Sequence, residues 1–383
     1  MSLKDKKVLI FTGGGETQVL NATIYGIVKK AREEKMIILG GVRGWASLLD
    51  GGRIVDITNI SLDGIENFGG TILKTSRTNP FKVENGINQI NKTILENNID
   101  YIIAIGGDDT LGAAKRLFDE SKLKIIGVPK TADNDLNKTY FTPGFPSAAH
   151  NLIKICNEVR RDSAIPRHRL FIIESQGGHA GWLAMSGAIG KADIITIPEF
   201  EISLDKLLNK IKEIYEKNGK YGVICLSQET KFDVELGNED KQVDDSFGIK
   251  RKQHITIDLK KIIEEKLKIP CQIIIPANSL RNGKGSEKDI FYAKKIGEKS
   301  IELIKESKFG FIPRIEEQEG KIIVSDIKLD FVVGKENYRN VTSNFYDANN
   351  FYPTKEYFEY MNDILDEIED DESYYMLLKQ IHG

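Results

Sequence analysis

Residues 101–135 read YIIAIGGDDTLGAAKRLFDESKLKIIGVPKTADND. The apolar run Tyr101–Ile105 ends on Gly106-Gly107-Asp108-Asp109. Thr110–Glu120 then has the apolar spacing of a helix, and Lys124–Val128 is a second apolar run that ends on Pro129-Lys130-Thr131-Ala132-Asp133-Asn134-Asp135. Strand, glycine turn, amphipathic helix and strand in succession point to a parallel sheet, because parallel strands need a crossover connection. Ligands of such sheets sit beyond the carboxyl ends of the strands, which is where these glycines, carboxylates and the lysine fall.

The same pattern extends in both directions. Upstream, Lys7–Phe11 reads as a strand before Gly13-Gly14-Gly15, Val19–Glu33 as a helix, and Met36–Leu39 as a strand ending in Gly40-Gly41. Downstream, Ala148–Arg161 reads as a helix, Arg169–Glu174 as a strand, Trp182–Gly190 as a helix, and Ile194–Ile197 and Gly222–Leu226 as strands. Ile255–Leu267 and Asp289–Ser307 read as helices, the polar stretch Asn238–Asp245 as a loop or lid, and the acidic tail from Glu356 as helical. The expectation is an α/β protein: two Rossmann-like three-layer lobes with mostly parallel sheets, a cleft between them, and C-terminal helices. Residues 1–143, completed by about 284–330, form one lobe, residues 144–283 the other, and 331–383 a C-terminal helical extension.

The bulk numbers agree. A chain of 383 residues suits two lobes. A net charge of -3, with both signs interspersed, gives no electrostatic case for nucleic acid or membrane as partner. The three cysteines, Cys156, Cys225 and Cys271, are far apart and have no metal-ligand or disulfide spacing; Cys225 and Cys271 lie in apolar runs and read as buried thiols of a reducing compartment. Val8–Phe11 is too short for a signal-peptide core, and no run approaches a membrane span. The expected location is the cytoplasm.

Each turn has a chemical reading and a plain one. Gly13-Gly14-Gly15 opens a helix, where backbone amides bind phosphate, or it simply turns the chain. Neither GxxxxGK[ST] nor GxGxxG occurs there. Gly69-Gly70-Thr71 with Thr75-Ser76-Arg77 offers hydroxyls and a guanidinium to phosphate, or is a polar loop. Asp108 and Asp109 suit a hard divalent cation shared with phosphate oxygens, with helix capping by Asp109 or Thr110 as the competitor. Lys130 supplies a cation; Asp133 and Asp135, if extended, point the same way, and one is placed to take a proton from an attacking hydroxyl. The competing reading there is an Asx-rich turn. In Glu174–Trp182, His179 is either catalytic or a satisfied structural histidine, and Arg167-His168-Arg169 meets either a sugar phosphate or solvent.

Taken in order, GGGETQVLNATIYGIV, GGTILKTSR, IAIGGDDTLGAAKRL, IIGVPKTADNDL, TPGF, RHRLFIIESQGGHAGWLAMSGA and IPEF, from Gly13 to Phe200, resemble the phosphofructokinase family. A weaker match runs through SLRNGKGSEKDIFYAKKIGEKSIELI to about residue 304. The resemblance implies Mg2+-dependent phosphoryl transfer to the 1-hydroxyl of fructose 6-phosphate in a cleft between a donor lobe and a sugar-phosphate lobe. By position it implies Asp133 as catalytic base with Lys130 beside it, and Asp108 as the metal-linked aspartate. Gly14, Gly15, Arg77, Gly107, Asp109 and Thr110 fall at the donor phosphates. Thr131, Asp135, Gln176, Gly177, Gln228 and Arg281 fall at the acceptor, with Arg281 placed by its distance to Asp289. Arg169 matches an arginine that reaches a neighbouring subunit's site, so the resemblance also implies a homodimer or homotetramer. Asp109 stands where ATP-dependent members usually have glycine, and Lys130 where they have a small residue. Both look like the pyrophosphate-dependent branch, since an aspartate there would crowd and repel a nucleotide's α-phosphate.

The chain also departs from that pattern. The first turn has Gln18-Val19 for Pro-Gly, and Gln176-Gly177-Gly178 stands for Met-Gly-Arg, so a charge-neutralising arginine is missing at 178. A sugar-binding glutamate falls on Gln228, with Glu229 adjacent; an interface arginine falls near Gln272, and a histidine on Asn278. Lys138, Lys284 and Arg167 are candidate replacements for the arginine. Three outcomes stay open: the ordinary pyrophosphate-dependent reaction, transfer to another sugar phosphate such as sedoheptulose 7-phosphate, and a catalytically weak ligand-binding paralogue.

Overall fold

The computed structural model describes residues 2–236, 254–334, 338–368 and 372–382. Its first half is built as β1 (Lys7–Thr12), α1 (Leu20–Glu33), β2 (Ile37–Val42), β3 (Arg53–Asp56), α2 (Gly86–Asn97), β4 (Tyr101–Gly106), α3 (Asp108–Ser121) and β5 (Ile125–Pro129). These strands form one sheet in the order β3-β2-β1-β4-β5, parallel except for the edge strand β3. The period of two along β1 sorts its side chains. Val8 and Ile10 pack on the face covered by α1, while Leu9 and Phe11 pack on the face covered by α2 and α3.

The second sheet follows α4 (Phe145–Val159) and the single turn α5 (Ile165–Arg167). It comprises β6 (Leu170–Ser175), β7 (Ile194–Thr196), β8 (Gly222–Ser227) and β9 (Cys271–Ile274), interleaved with α6 (Trp182–Met185), α7 (Leu204–Lys217) and α8 (Ile255–Leu267). The order is β7-β8-β6-β9, all parallel. Phe171 and Ile173 face α4 and α6, whereas Leu170 and Ile172 face α7 and α8, so this sheet too is the middle of three layers. The helix expected over Trp182–Gly190 is α6 followed by a 3-10 turn, Ser186–Ala188. Cys156, Cys225 and Cys271 are free and buried.

The chain then returns to the first sheet. Helix α9 (Glu287–Lys305) lies along α1, and the antiparallel hairpin β10 (Phe311–Gln318) with β11 (Lys321–Lys328) packs beside β5. Gly26 and Gly297 allow the α1–α9 approach: a Cβ at Gly26 would fall 2.2 Å from the Lys294 carbonyl oxygen, and one at Gly297 2.4 Å from that of Thr23. Asp289, fully buried at the start of α9, accepts hydrogen bonds from the Gly144 and Ser147 amides and the Ser147 hydroxyl, and so ties α9 to the start of α4. The tail carries the two-residue pairing β12 (Tyr346–Asp347) with β13 (Tyr352–Pro353), then the helices α10 (Lys355–Ile364) and α11 (Glu372–His382). The stretch Asn238–Asp245, expected as a loop or lid, lies outside the described residues. Among the described residues no helix is long and apolar enough to cross a membrane.

Candidate active site

In the first sheet β1 is flanked by β2 on one side and β4 on the other, so the connections leaving β1 and β4 run to opposite faces and open a crevice between them. The two glycine turns meet there. Thr110, buried in the first turn of α3, fills the seam between them: a Cβ at Gly13 would fall 2.5 Å from its Oγ1, and one at Gly106 2.4 Å from its Cβ. Glycine is required at both positions because the threonine occupies that space. Gly14 adopts φ +78, donates its amide to Ser76 O next to Arg77 (3.1 Å), and accepts on its carbonyl the Thr75 hydroxyl (2.6 Å). The loop bearing Arg77 is thus stitched to the glycine turn.

Gly107 is the N-cap of α3, and Asp108 and Asp109 stand in its first turn, where carboxylates complement the helix dipole. Neither Asp109 nor Thr110 caps the helix. Asp108 Oδ1 accepts the Gly334 amide at 3.0 Å.

Beyond β5, Lys130 is buried and turns inward, donating to the Gly15 carbonyl. Burial, and then the neighbouring Arg281 charge, lower its pKa to about 8, against the opposing pull of Asp133, Glu16 and Asp135. Thr131 Oγ1 accepts the Asp133 amide at 3.1 Å. Asn134 is not extended: it sits at φ +57, its Oδ1 accepts the Thr142 amide, and its Nδ2 donates to Tyr360 Oη. Of the two readings of this stretch the turn forms: a left-handed kink that Asn tolerates stands in place of an extended run. The two carboxylates remain close. Burial, followed by the Asp133 charge, pushes Asp135 well above the usual carboxylate range.

The second sheet supplies the opposite wall. After β6 the turn passes through Gly177 (φ +151) and Gly178 (φ +57), and a Cβ at Gly178 would stand 3.0 Å from Asp133 Oδ2. Gln176 Oε1 accepts Arg281 Nε at 2.6 Å, and a Cβ at Gly15 would fall 2.6 Å from Arg281 Nη1. Gln228 follows β8 and donates its amide to Ser175 O at 2.9 Å, beside that turn. The ring Gly15–Arg281–Gln176–Gly178–Asp133–Lys130 thus closes around the cleft. Arg169 stands apart, at the amino end of β6, and Gln272 pairs near it on β9. At about 3.3 Å per residue, a six-residue strand puts Arg169 roughly 20 Å from the cleft.

One cleft residue had no sequence signal. Tyr338 pairs with Leu136, and the next residue, Arg339, donates its amide to Asp135 O at 2.8 Å. Burial and the charges of Asp108, Asp135 and Asp109 push the Tyr338 phenol up to about 12. Its ring lies 5.7 Å from that of His179, which is otherwise exposed. Arg339 stacks on Trp182 at 4.2 Å, and Glu199 accepts the Gly181 and Val341 amides at 2.9 Å each. The segment from Tyr338 to Val341 therefore straps the Asp133 loop to the turn before α6.

Comparison with known proteins places this arrangement. The chain matches the family described as Phosphofructokinase over residues 7–304. It is 35% identical over 349 residues to a pyrophosphate--fructose 6-phosphate 1-phosphotransferase of Dictyoglomus thermophilum, covering 89% of this chain and 97% of that one. It is 31% identical over 300 residues to an ATP-dependent 6-phosphofructokinase of Halothermothrix orenii, covering 78% of this chain and 86% of that one. The crystal structure of a pyrophosphate-dependent phosphofructokinase from Marinobacter aquaeolei superposes with a TM-score of 0.82, covering 96% of this chain and 94% of that one, at 21% identity. With its strand-end turns, its buried lysine and its match over most of its length, the chain belongs to the phosphofructokinase family.

Proposed function

We infer that the protein transfers a phosphoryl group from pyrophosphate to the 1-hydroxyl of fructose 6-phosphate, giving fructose 1,6-bisphosphate and orthophosphate. One observation carries this reading: the buried Lys130 ammonium donates to the Gly15 carbonyl of the glycine turn and lies close enough to Asp133 to feel its charge. A fixed cation there meets a short polyanion. With Asp109 in the first turn of α3, it favours a donor that ends after two phosphates over one that continues into a nucleoside.

Gly14, Gly15, Arg77, Gly107, Asp109 and Thr110 are assigned to the donor, and Thr131, Asp135, Gln176, Gly177, Gln228 and Arg281 to the acceptor. Asp133 is the base that takes the hydroxyl proton as the oxygen attacks. Residues 1–143 with about 284–330 act as the donor lobe and 144–283 as the acceptor lobe, a division supported by the packing of α9 on α1. Among the described residues no three His, Cys, Asp or Glu form a metal cage. That suits Mg2+, which takes one or two carboxylates and fills its shell with water and substrate phosphates. Asp108, with Asp135 close enough to feel its charge, is where it would be held. When bound it neutralises phosphate charge. Arg169, remote from its own cleft, supports a homodimer or homotetramer in which it serves a neighbour. The assigned location is the cytoplasm.

A coupled assay with fructose 6-phosphate and Mg2+, run with pyrophosphate and with ATP, tests the reading. Turnover is expected with pyrophosphate, and Asp133→Asn is expected to remove at least about a hundredfold of it with folding intact. Turnover with ATP alone refutes the donor assignment. Turnover only with sedoheptulose 7-phosphate refutes the acceptor.

A further inference from the structure

A general base works only within hydrogen-bond reach of the proton it takes, and a displacement of about 1 Å can cost about a hundredfold in rate. The turn facing Asp133 from the second sheet, Gln176-Gly177-Gly178, carries no cation, and the three replacements suggested by sequence stand elsewhere. Arg167 is at the amino end of β6, a strand's length away. Lys284 lines a separate cavity of about 200 Å³ with His150 and Asp366. Lys138 is exposed and meets β10, its carbonyl accepting from Arg314. What distant parts of the chain do contribute at Asp133 is a hold on the loop that carries it.

The C-terminal extension grips the three residues that follow the base. Asn134 Nδ2 donates to Tyr360 Oη at 2.9 Å, the Asp135 carbonyl accepts the Arg339 amide at 2.8 Å, and Leu136 pairs with Tyr338. Tyr360, on α10, is the centre of this grip. It is 5% exposed, and Asn134 is fully buried. A phenol offers one donor and two lone pairs, and here each has a partner. Tyr360 Oη donates to the Tyr140 carbonyl at 3.0 Å and accepts Asn134 Nδ2 and, at 3.2 Å, Arg339 Nη1. Its ring stands edge-on against Tyr140 and Trp182. A hydroxyl so committed, on a ring so packed, has one orientation, and it fixes the Asn134 amide. The other end of that amide, Oδ1, accepts the Thr142 amide at 3.0 Å. Asn134 is thereby pinned at φ +57, a conformation costly to most residues, and that kink sets the direction in which Asp133, the residue before it, leaves the loop.

We propose that Tyr360 is a positioning residue for the transfer reaction, its hydroxyl holding Asn134 and, through Asn134, aiming the Asp133 carboxylate at the attacking hydroxyl. The proposal rests on the phosphotransferase reading and deepens it. In the step itself the bond from the transferred phosphorus to the bridging oxygen of pyrophosphate breaks, and a bond to the sugar 1-oxygen forms. The hydroxyl proton passes to Asp133 and orthophosphate leaves. Tyr360 touches none of the reacting atoms; it acts on the geometry of the proton transfer alone.

The test is the steady-state kinetics of the full-length protein with pyrophosphate, Mg2+ and fructose 6-phosphate, with kcat and KM read separately and Tm measured alongside. Tyr360→Phe keeps the ring and deletes the hydroxyl. It is expected to lower kcat by about 10- to 100-fold, with both KM values within about threefold of wild type. Tyr357, one turn earlier on α10, supplies the control: it is fully buried and donates to the Trp182 carbonyl at 2.9 Å, away from the base. Tyr357→Phe is expected to lower Tm at least as much and to leave kcat within about twofold. Asn134→Gly cuts the same bond from the loop side while leaving φ +57 accessible; it is expected to lower kcat by a similar factor, and Tyr360→Phe added to it to cost under about threefold more. An equal loss of kcat in Tyr357→Phe would reduce the effect to loosened packing and overturn the positioning role. So would an unchanged kcat, a rise in KM alone, or effects that multiply in the double variant. If Tyr360→Phe does not fold, Asn134→Gly decides by itself, and wild-type kcat there overturns the proposal. Absence of wild-type turnover would overturn the reaction itself, a result distinct from all of these.

Discussion

Replacing Lys130 by methionine is expected to abolish donor use and, at the same time, to stabilise the ligand-free protein. The Lys130 ammonium is buried, and burial followed by the Arg281 charge lowers its pKa from 10.5 to about 8. Between about pH 8 and 10.5 the unfolded chain therefore binds more protons than the folded one, so this group makes stability rise with pH across that window. Below pH 8 both states are charged, and the folded state carries the whole cost of the buried cation. A depression of this size corresponds to about 3 kcal/mol. Methionine has similar length and no charge. It removes that cost but loses the hydrogen bond to the Gly15 carbonyl, worth about 1 kcal/mol. The variant is thus expected to be more stable than wild type by about 2 kcal/mol at pH 7, with the advantage gone near pH 10. Urea denaturation of both proteins without ligand, at pH 7 and at pH 9.5, measures this through the shift in midpoint. A Lys130→Met protein less stable than wild type at pH 7, or a difference that does not change with pH, would refute the argument that a cation buried at a net cost is held ready for the donor.

Gly178→Arg is expected to bring no gain in turnover: the residue sits at φ +57, its Cβ would stand 3.0 Å from Asp133 Oδ2, and an arginine there would pair with the base. A gain of about tenfold or more in the coupled assay would show that the wild-type site lacks charge stabilisation. Gly26→Ala is expected to destabilise the protein by about 2 kcal/mol or more, because its Cβ would fall 2.2 Å from a backbone oxygen of α9 that cannot rotate away. Thermal denaturation reads this, and an unchanged Tm would mean that α1 and α9 can slide apart freely.

The parts legible in the sequence share a physical cause. Strand period, glycine turns and crossover helices are local patterns, so β1, β4, β5, β6 and β8 and the turns after them could be read directly. The positions of Asp108, Lys130 and Asp133 beyond the strand ends could be read for the same reason, and strand ends are where a parallel sheet presents ligands. Local pattern left two readings open at Asn134, an extended stretch and an Asx-rich turn, and the structure takes the turn. The left-handed kink there is stabilised by Thr142 and by Tyr360, the latter more than 200 residues away. The hairpin of β10 and β11 was not foreseen, and Tyr338 carried no signal because its partners lie in loops around residues 108, 135 and 179.

The sequence by itself determined the layered α/β architecture, the family and the set of polar residues at the strand ends, because each depends on spacing along the chain. Tertiary structure alone decided how those residues are used. It buried Lys130 and lowered its pKa, carried Arg169 away from its own cleft, and brought Gln176 onto Arg281, Asn278 onto Gln176 and Gln18 onto the Leu280 carbonyl. These outcomes depend on which segments meet across the two sheets, and a contact between residues 176 and 281 leaves no periodicity in the chain for a sequence to display.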